Sequence, residues 1–326
     1  MIEYSSKNIR MWSMLGETGT AGYVLNELAD KNSDLAVLTA DLCFYSGLER
    51  FKACHPEQFY NFGIAEQNMI AAGAAMAKEG MDVFATTYAT FAVGRGLDQI
   101  RVNMGYMKLP LKILGLAAGL TGGILGATHM GCEDFAIMRS IPNMNVIAPA
   151  DCTETAKAIE CIEKLKSPVY VRLSGGQRMP IVYKEDFVFE LGKAICLKEG
   201  HEILLIATGS MVNQALEAGQ ILENNGLSCK VVDMHTIKPL DKVLLEQSLH
   251  YKMIVTLEEH SVFGGLGGAV AEYLSEKKRH PILCKIGIGD FYPHAAPYDI
   301  LIKKCGLGIE QITEIIFKRY QENIIE

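Results

Sequence analysis

The stretch Phe59 to Met69, FYNFGIAEQNM, puts a carboxylate where one is costly. An apolar run breaks at Gly63, then Ile64 and Ala65 lead into Glu66, and Ala71, Ala72, Gly73, Ala74 and Ala75 follow soon after. A helix of such small residues lets neighbours approach closely, so an acid held there is poorly hydrated. Such a group stays protonated or takes a charge-assisted partner, and either state suits an acid catalyst or an acid that binds a heterocycle. The bland reading is an exposed acid favoured by the helix dipole in a first turn. Other residues capable of chemistry sit at similar joints: Asp41 closes the run LAVLTAD, Tyr88 and Phe91 straddle the end of MDVFATTY, Arg95 follows shortly, and His129 lies in GLTGGILGATHMG. Taken singly, Phe91 also fits a core position and His129 a satisfied loop histidine.

These joints follow from the elements around them. Short β-rich runs alternate with helical patterns: LAVLTAD, MDVFATTY, LKILGLAAG, NVIAPA and PVYVRLS read as strands, and AEQNMIAAGAAMAKEG, FAVGRGLDQIRVNMGYM, EDFAIMRS and CTETAKAIECIEKLK as helices. Continuous apolar strands separated by helices predict a parallel sheet covered on both faces, with ligands gathering where strands end and helices begin. After Ser174 the pattern lapses into GGQRMPIVYKEDFVFELG, a connection. A second set follows, with strands in ILLIATGS, CKVVDMHT, KMIVTLEE and PILCKIGI, and helices in VNQALEAGQILENNG, GGLGGAVAEYLSEKK and EQITEIIFKRYQ. The reading is an α/β protein of two three-layer domains, residues 1–185 and 186–326, the second smaller and with a mostly parallel sheet.

Bulk composition fits this plan. A chain of 326 residues exceeds the usual growth of a single core. Its 31 basic and 38 acidic residues give a formal charge of -7 without a basic block, which excludes nucleic acid as an expected partner. No apolar stretch reaches a membrane span and the N-terminus lacks a signal-peptide core, so the expected location is cytoplasmic, away from membranes. The 9 cysteines are scattered without a CxxC pair, which supports neither a disulfide framework nor a metal site.

GIAEQNM, TYATFAVGRGLDQIR, the loop ending GATHMGCED, MRSIPNMNVIAPAD and TLEEHSVFGGLGGAVAE together resemble the transketolase family of thiamine diphosphate enzymes, over nearly the whole chain. The resemblance implies a pyrimidine-binding domain followed by a transketolase C-terminal domain. It also implies roles. Glu66 matches the glutamate that hydrogen-bonds N1' of the cofactor's aminopyrimidine and favours the tautomer able to take the proton from C2 of the thiazolium. Phe91 matches the aromatic that stacks on the pyrimidine, Tyr88 and Ile64 belong to the same pocket, and Asp41 matches an acid near the cofactor. His129 matches a histidine that contacts a substrate oxygen, and is expected to be catalytic with Glu66; Arg95 is a candidate for substrate binding.

Family members of full length carry an N-terminal domain whose Gly-Asp-Gly motif and downstream asparagine hold a divalent metal on the diphosphate. No GDG occurs in this chain, and GIGDF at Gly287 to Phe291 lacks the second glycine. The resemblance therefore implies the C-terminal half of a split transketolase, an α2β2 assembly whose N-terminal subunit carries GDG and holds the diphosphate with Mg2+ or a similar metal. The reaction implied is transfer of a two-carbon ketol unit from a ketose to an aldehyde or aldose, phosphorylated or not. The pattern departs from the family at Ile124 and Leu125, which stand where a Glu-Asp pair is usual, and at Gly19 and Gly175, which stand where arginines read a terminal phosphate; Arg178 and Arg95 are the candidates to compensate. Three alternatives remain open: the β subunit of a 2-oxo acid dehydrogenase, which a lipoyl carrier encoded nearby would favour, a deoxyxylulose phosphate synthase-like enzyme, and a silent scaffold subunit.

Overall fold

A computed structural model describes residues 2–174 and 176–325, so the expectation placed on Gly175 lies outside the described residues. The chain begins with α1 (Ser6–Ala29), β1 (Leu35–Thr39), α2 (Glu49–Cys54), β2 (Phe59–Asn61), α3 (Glu66–Lys78) and β3 (Asp82–Tyr88). It continues through α4 (Ala89–Gly94), α5 (Leu97–Gln99), a π-helical turn over Ile100–Tyr106, β4 (Lys112–Leu116), α6 (Asp134–Ser140), β5 (Asn145–Ile147), α7 (Cys152–Glu163) and β6 (Val169–Arg172). After the connection come β7 (Ile195–Lys198), β8 (Ile203–Ala207), α8 (Met211–Asn224), β9 (Cys229–Asp233), β10 (Thr236–Lys238) and α9 (Lys242–Gln247). The chain closes with β11 (Met253–Ser261), α10 (Leu266–Ser275), β12 (Ile282–Ile288), α11 (Tyr298–Lys304) and α12 (Ile309–Tyr320).

Two mostly parallel sheets result. One has 7 strands in the order β10-β5-β6-β4-β3-β1-β2, the other 5 in the order β12-β11-β8-β9-β7. Every residue of β1, β4 and β8 is buried, as expected of strands covered on both faces. On one side of the larger sheet α3 buries Met69, Ile70, Gly73, Ala74 and Ala77, a helical spacing. On the other side α1 and α7 bring Trp12, Leu25 and Ile159 onto Val37 and Phe84. The first of these cores runs without a break into Leu204, Val232 and Ile254 of the second sheet.

Two expectations need correction. The helix expected over FAVGRGLDQIRVNMGYM is broken, because Gly94 and Gly96 are poor helix formers and a Cβ at Gly96 would strike Ile70 Cδ1 where the chain crosses α3. The strand expected over CKVVDMHT splits in two. Met234 N donates to Ala207 O at 2.8 Å in the smaller sheet, and His235 O accepts from Ala148 N at 2.8 Å in the larger. The chain thus changes sheets within two residues, and β10 pairs antiparallel with β5 in the register Thr236↔Ile147. The sequence reading also passed over α1, α11 and the antiparallel edge strand β7. Among the described residues, no helix is long and apolar enough to cross a membrane.

Candidate active site

From β1 the chain steps to β2 on one side, then returns through α3 to β3 on the other. Loops leaving the carboxyl ends of β1 and β3 therefore diverge, and a crevice opens between them, the place where open α/β sheets bind ligands. Asp41 leaves β1 there, Tyr88 ends β3, and Glu66 opens α3. The crevice is a cavity of about 260 Å³ lined by Asp41, Ile64, Glu66, Tyr88, Phe91 and His129, together with Ala40, Leu42, Tyr45 and Leu125. Six of the seven residues anticipated from sequence thus meet at one cavity, and the seventh, Arg95, reaches it through Glu66.

Glu66 is 3% exposed, and its Oε1 accepts from Arg95 Nη1 at 2.9 Å. Burial would penalise the carboxylate, and the guanidinium offsets that penalty. Oε2 makes no hydrogen bond to the described residues. The Arg95 guanidinium also lies 4.0 Å from the centroid of Phe91, a cation–π contact that fixes the arginine between acid and ring. Arg95 is thus committed to Glu66, a use that sequence alone did not indicate, while its side chain stays 49% exposed.

The aromatic wall is continuous. Tyr88 lies 5.7 Å from Phe91, and the His129 ring stands edge-on to both, at 5.9 Å and 5.3 Å between centroids. Tyr45 extends it, 6.3 Å from Tyr88. Burial raises the Tyr88 phenol above its usual range, with the Tyr45 phenol adding to the effect, so it remains a hydroxyl donor at neutral pH. Thr128 Oγ1 lies 2.9 Å from His129 Nδ1, leaving Nε2 as the ring atom free of that contact.

Asn61, which the sequence reading did not single out, holds the other wall. Its Oδ1 accepts from Asp41 N at 3.1 Å and from Gly63 N at 3.0 Å, while its Nδ2 donates to Asp41 Oδ1 at 3.0 Å. One side chain thus ties the loop after β1 to the turn before α3. Both backbones are left-handed, Gly63 at φ 68° and Asp41 at φ 59°, and at Asp41 the amide pairing compensates a conformation that is unfavourable for a residue with a Cβ. The signal for Asn61 was weak, since asparagine two residues before glycine also marks an ordinary turn. Ile64 is 75% exposed at the rim of the cavity, whose lining also includes the exposed Tyr45 and Leu125; Phe44 packs edge-on against Tyr45, and Ile124, next to Leu125 in the chain, is exposed as well.

A larger groove of about 870 Å³ lies elsewhere, lined by residues including Arg139, Lys238, Pro239 and Tyr273. Of its lysines, Lys238 is spent on backbone, donating to Arg139 O at 2.8 Å and Ile141 O at 2.5 Å, Arg139 is paired with Glu272 at 2.7 Å, and Tyr273 stands as a single ring in the lining rather than as part of an aromatic wall. Arg178, offered as a compensating cation, lines none of the cavity around Glu66. Nor does Gly19, which packs against Leu15 and Gly47. Among the described residues, no group of three or more His, Cys, Asp or Glu is placed to hold a metal ion.

The pyrimidine-binding domain of transketolase matches residues 18–178, and the C-terminal domain of transketolase matches residues 192–312. A chain of Methanocaldococcus jannaschii, provisionally described as a transketolase C-terminal section, is 43% identical over 303 residues, covering 92% of this chain and 95% of that one. One of the subunits of the apulose-4-phosphate transketolase of Phocaeicola vulgatus is 39% identical over 269 residues, covering 82% of this chain and 85% of its own. A solved structure described as a split gene transketolase, inactive beta4 tetramer, superposes with a TM-score of 0.83 at 37% identity, covering 97% of this chain and 98% of that one. This chain belongs to the transketolase family, with the pyrimidine-binding and C-terminal domains of that family in one polypeptide.

Proposed function

We propose that this chain is the C-terminal subunit of a split, thiamine diphosphate-dependent transketolase, its two domains being residues 1–185 and 186–326. The observation that carries the reading is the buried Glu66 carboxylate at the base of a crevice walled by Tyr88, Phe91 and His129. The residues fit an aminopyrimidine. Phe91 and Tyr88 offer aromatic faces, Glu66 Oε2 has no partner among the described residues, and Ile64 supplies an apolar rim. When bound, the coenzyme would supply a carbanion-stabilising centre suited to ketol transfer.

The chain's own residues then have distinct tasks. Glu66 binds the ring nitrogen and holds a proton on that hydrogen bond, in a site dry enough to strengthen it. Arg95 keeps Glu66 oriented and offers its exposed N–H groups to a substrate oxygen or phosphate. His129 donates to, or accepts from, a substrate hydroxyl or carbonyl oxygen, its ring locked by Phe91 and Tyr88. Asp41, held by Asn61, supports the cofactor side of the crevice.

The diphosphate and its Mg2+ or similar metal are assigned to an N-terminal subunit that carries a Gly-Asp-Gly motif, in an α2β2 assembly. The exposed Phe44, Tyr45, Ile64, Ile124 and Leu125 around the crevice form an apolar rim suited to burial against that subunit. The split-subunit relatives support this assignment, and the inactive β4 assembly named for one of them indicates that such a chain also self-associates without its partner. The substrate is a small sugar or sugar phosphate, and Leu125 on the crevice wall cannot accept a hydroxyl there.

Glu66→Gln tests the reading. Glutamine keeps the volume and can still accept from Arg95, but it cannot supply a carboxyl proton. The reconstituted enzyme should lose about 10²- to 10⁴-fold in ketol transfer while the variant keeps its melting temperature. A variant that retained full activity would leave the silent-scaffold reading in its place.

A further inference from the structure

The smaller sheet has its own switch point. From β8 the chain steps to β9 on one side and later to β11 on the other, so a second crevice opens between the carboxyl ends of β8 and β11. No separate ligand is needed to fill it, because a loop from the other domain lies there. Glu259, fully buried near the end of β11, accepts at Oε1 from Leu120 N at 2.6 Å, and at Oε2 from Tyr298 Oη at 2.6 Å and from Ser210 Oγ. Ser210 follows β8 and Tyr298 opens α11, so three segments of the second domain converge on the start of the loop from Ala118 to Gly131.

The far end of that loop is tied to the same place. Arg172, at the end of β6, donates through Nη2 to Gly131 O at 3.1 Å and to Glu259 O at 2.8 Å, while its Nε engages both oxygens of Asp134. Ser261 N donates to Cys132 O at 2.8 Å, and Gly119 N to Gly131 O at 2.8 Å. The middle is held as well, by Ala296 N donating to Gly123 O at 3.2 Å. The loop needs such fixing, since Ala117, Gly119 and Gly126 are all left-handed, at φ 48°, 65° and 81°. At Gly119 a Cβ would strike the Glu259 carboxylate itself, so the glycine also makes room for the clamp. The loop carries Leu125 and His129 into the first crevice.

We infer that the second domain is a clamp on the His129 loop, and that Glu259 is a positioning residue which holds His129 for substrate without touching it. The inference rests on the transketolase reading for its kinetic consequence but not for its structural one. Glu259→Gln can keep the connections, its carbonyl accepting from Leu120 N and its amide donating to the two hydroxyl oxygens. Glu259→Leu cannot.

Hydrogen exchange on the full chain should show amides 118–131 exchanging about tenfold or more faster in Glu259→Leu, with β1 and α3 unchanged and Glu259→Gln close to wild type. Tyr298→Phe, which removes one anchor, should move the same amides by less, and serves if the leucine variant fails to fold. In the enzyme reconstituted with its partner subunit, Glu259→Leu should lower kcat/KM without altering thiamine diphosphate affinity, and should cost almost nothing further in a His129→Ala background. Unchanged exchange of the loop in the folded leucine and phenylalanine variants, or additive losses with His129→Ala, would overturn the inference. If the wild-type assembly transfers no ketol unit, the transketolase reading fails, and the exchange result still decides the clamp.

Discussion

Replacing Asn61 by alanine should be felt at two loops at once, because its single amide serves both Asp41 and Gly63. Three exposed hydrogen bonds disappear, each with a net worth of about 0.5 to 1.5 kcal/mol at most, and the left-handed Asp41 loses its support. The expected loss is about 1 to 2 kcal/mol in a urea titration, with about tenfold weaker coenzyme binding by the assembled enzyme. Unchanged affinity would show that the Asp41 loop is not part of the cofactor wall. At this scale the sequence was legible wherever chemistry selects a residue type in an unusual setting. An acid amid small residues marked Glu66, and aromatic residues at a strand end marked Tyr88 and Phe91. It was silent about Asn61 and Tyr45, whose residue types fit any turn or surface, and about the pairing of Arg95 with Glu66, which depends on two helices meeting.

The element that most affects the whole is one of the shortest, β10. Its central residue, Ile237, is buried in the core, and the strand belongs by sequence to the second set and by hydrogen bonding to the first sheet. Ile237→Ala should cost about 2 to 5 kcal/mol. The two domains should then melt in separate steps, observable by calorimetry, where the wild type melts in one. A single transition in the variant would mean that the remaining shared core couples the domains without β10. This exchange between sheets was hidden in the sequence because CKVVDMHT reads as one run, and nothing in hydropathy says which sheet a buried strand joins. The strands buried on both faces were legible because their apolar runs were continuous. The long helix α1 was not, since its kink at Gly16, φ 80°, divides the pattern and its buried residues include Glu17, Thr20 and Asn26.

At the scale of the molecule, the seam between the domains is rich in buried acids. Glu17 is fully buried, and burial pushes its pKa up to about 8 against the opposing pull of the Ser174 backbone and of Arg172. Glu258 is pushed up to about 7 by burial and Asp151 to about 6, and burial likewise raises Asp233, which is packed against Glu154. Because the native state keeps the Glu17 proton where the unfolded state releases it, the stabilisation from that proton is complete below the unfolded carboxylate range and is lost as pH rises through about 8. Glu17→Gln should therefore match wild type in thermal midpoint near pH 4.5 and exceed it by a margin that grows up to about pH 8. A margin independent of pH would show that Glu17 is paired in solution.

Division of the coenzyme between two polypeptides is the claim on which the functional account depends. Isothermal titration of thiamine diphosphate with Mg2+ into this chain, into the Gly-Asp-Gly partner and into their mixture tests it directly. The account predicts strong binding by the mixture, weakened when the chain carries Glu66→Gln, and little heat from this chain alone. Tight, metal-dependent binding by this chain by itself would contradict it.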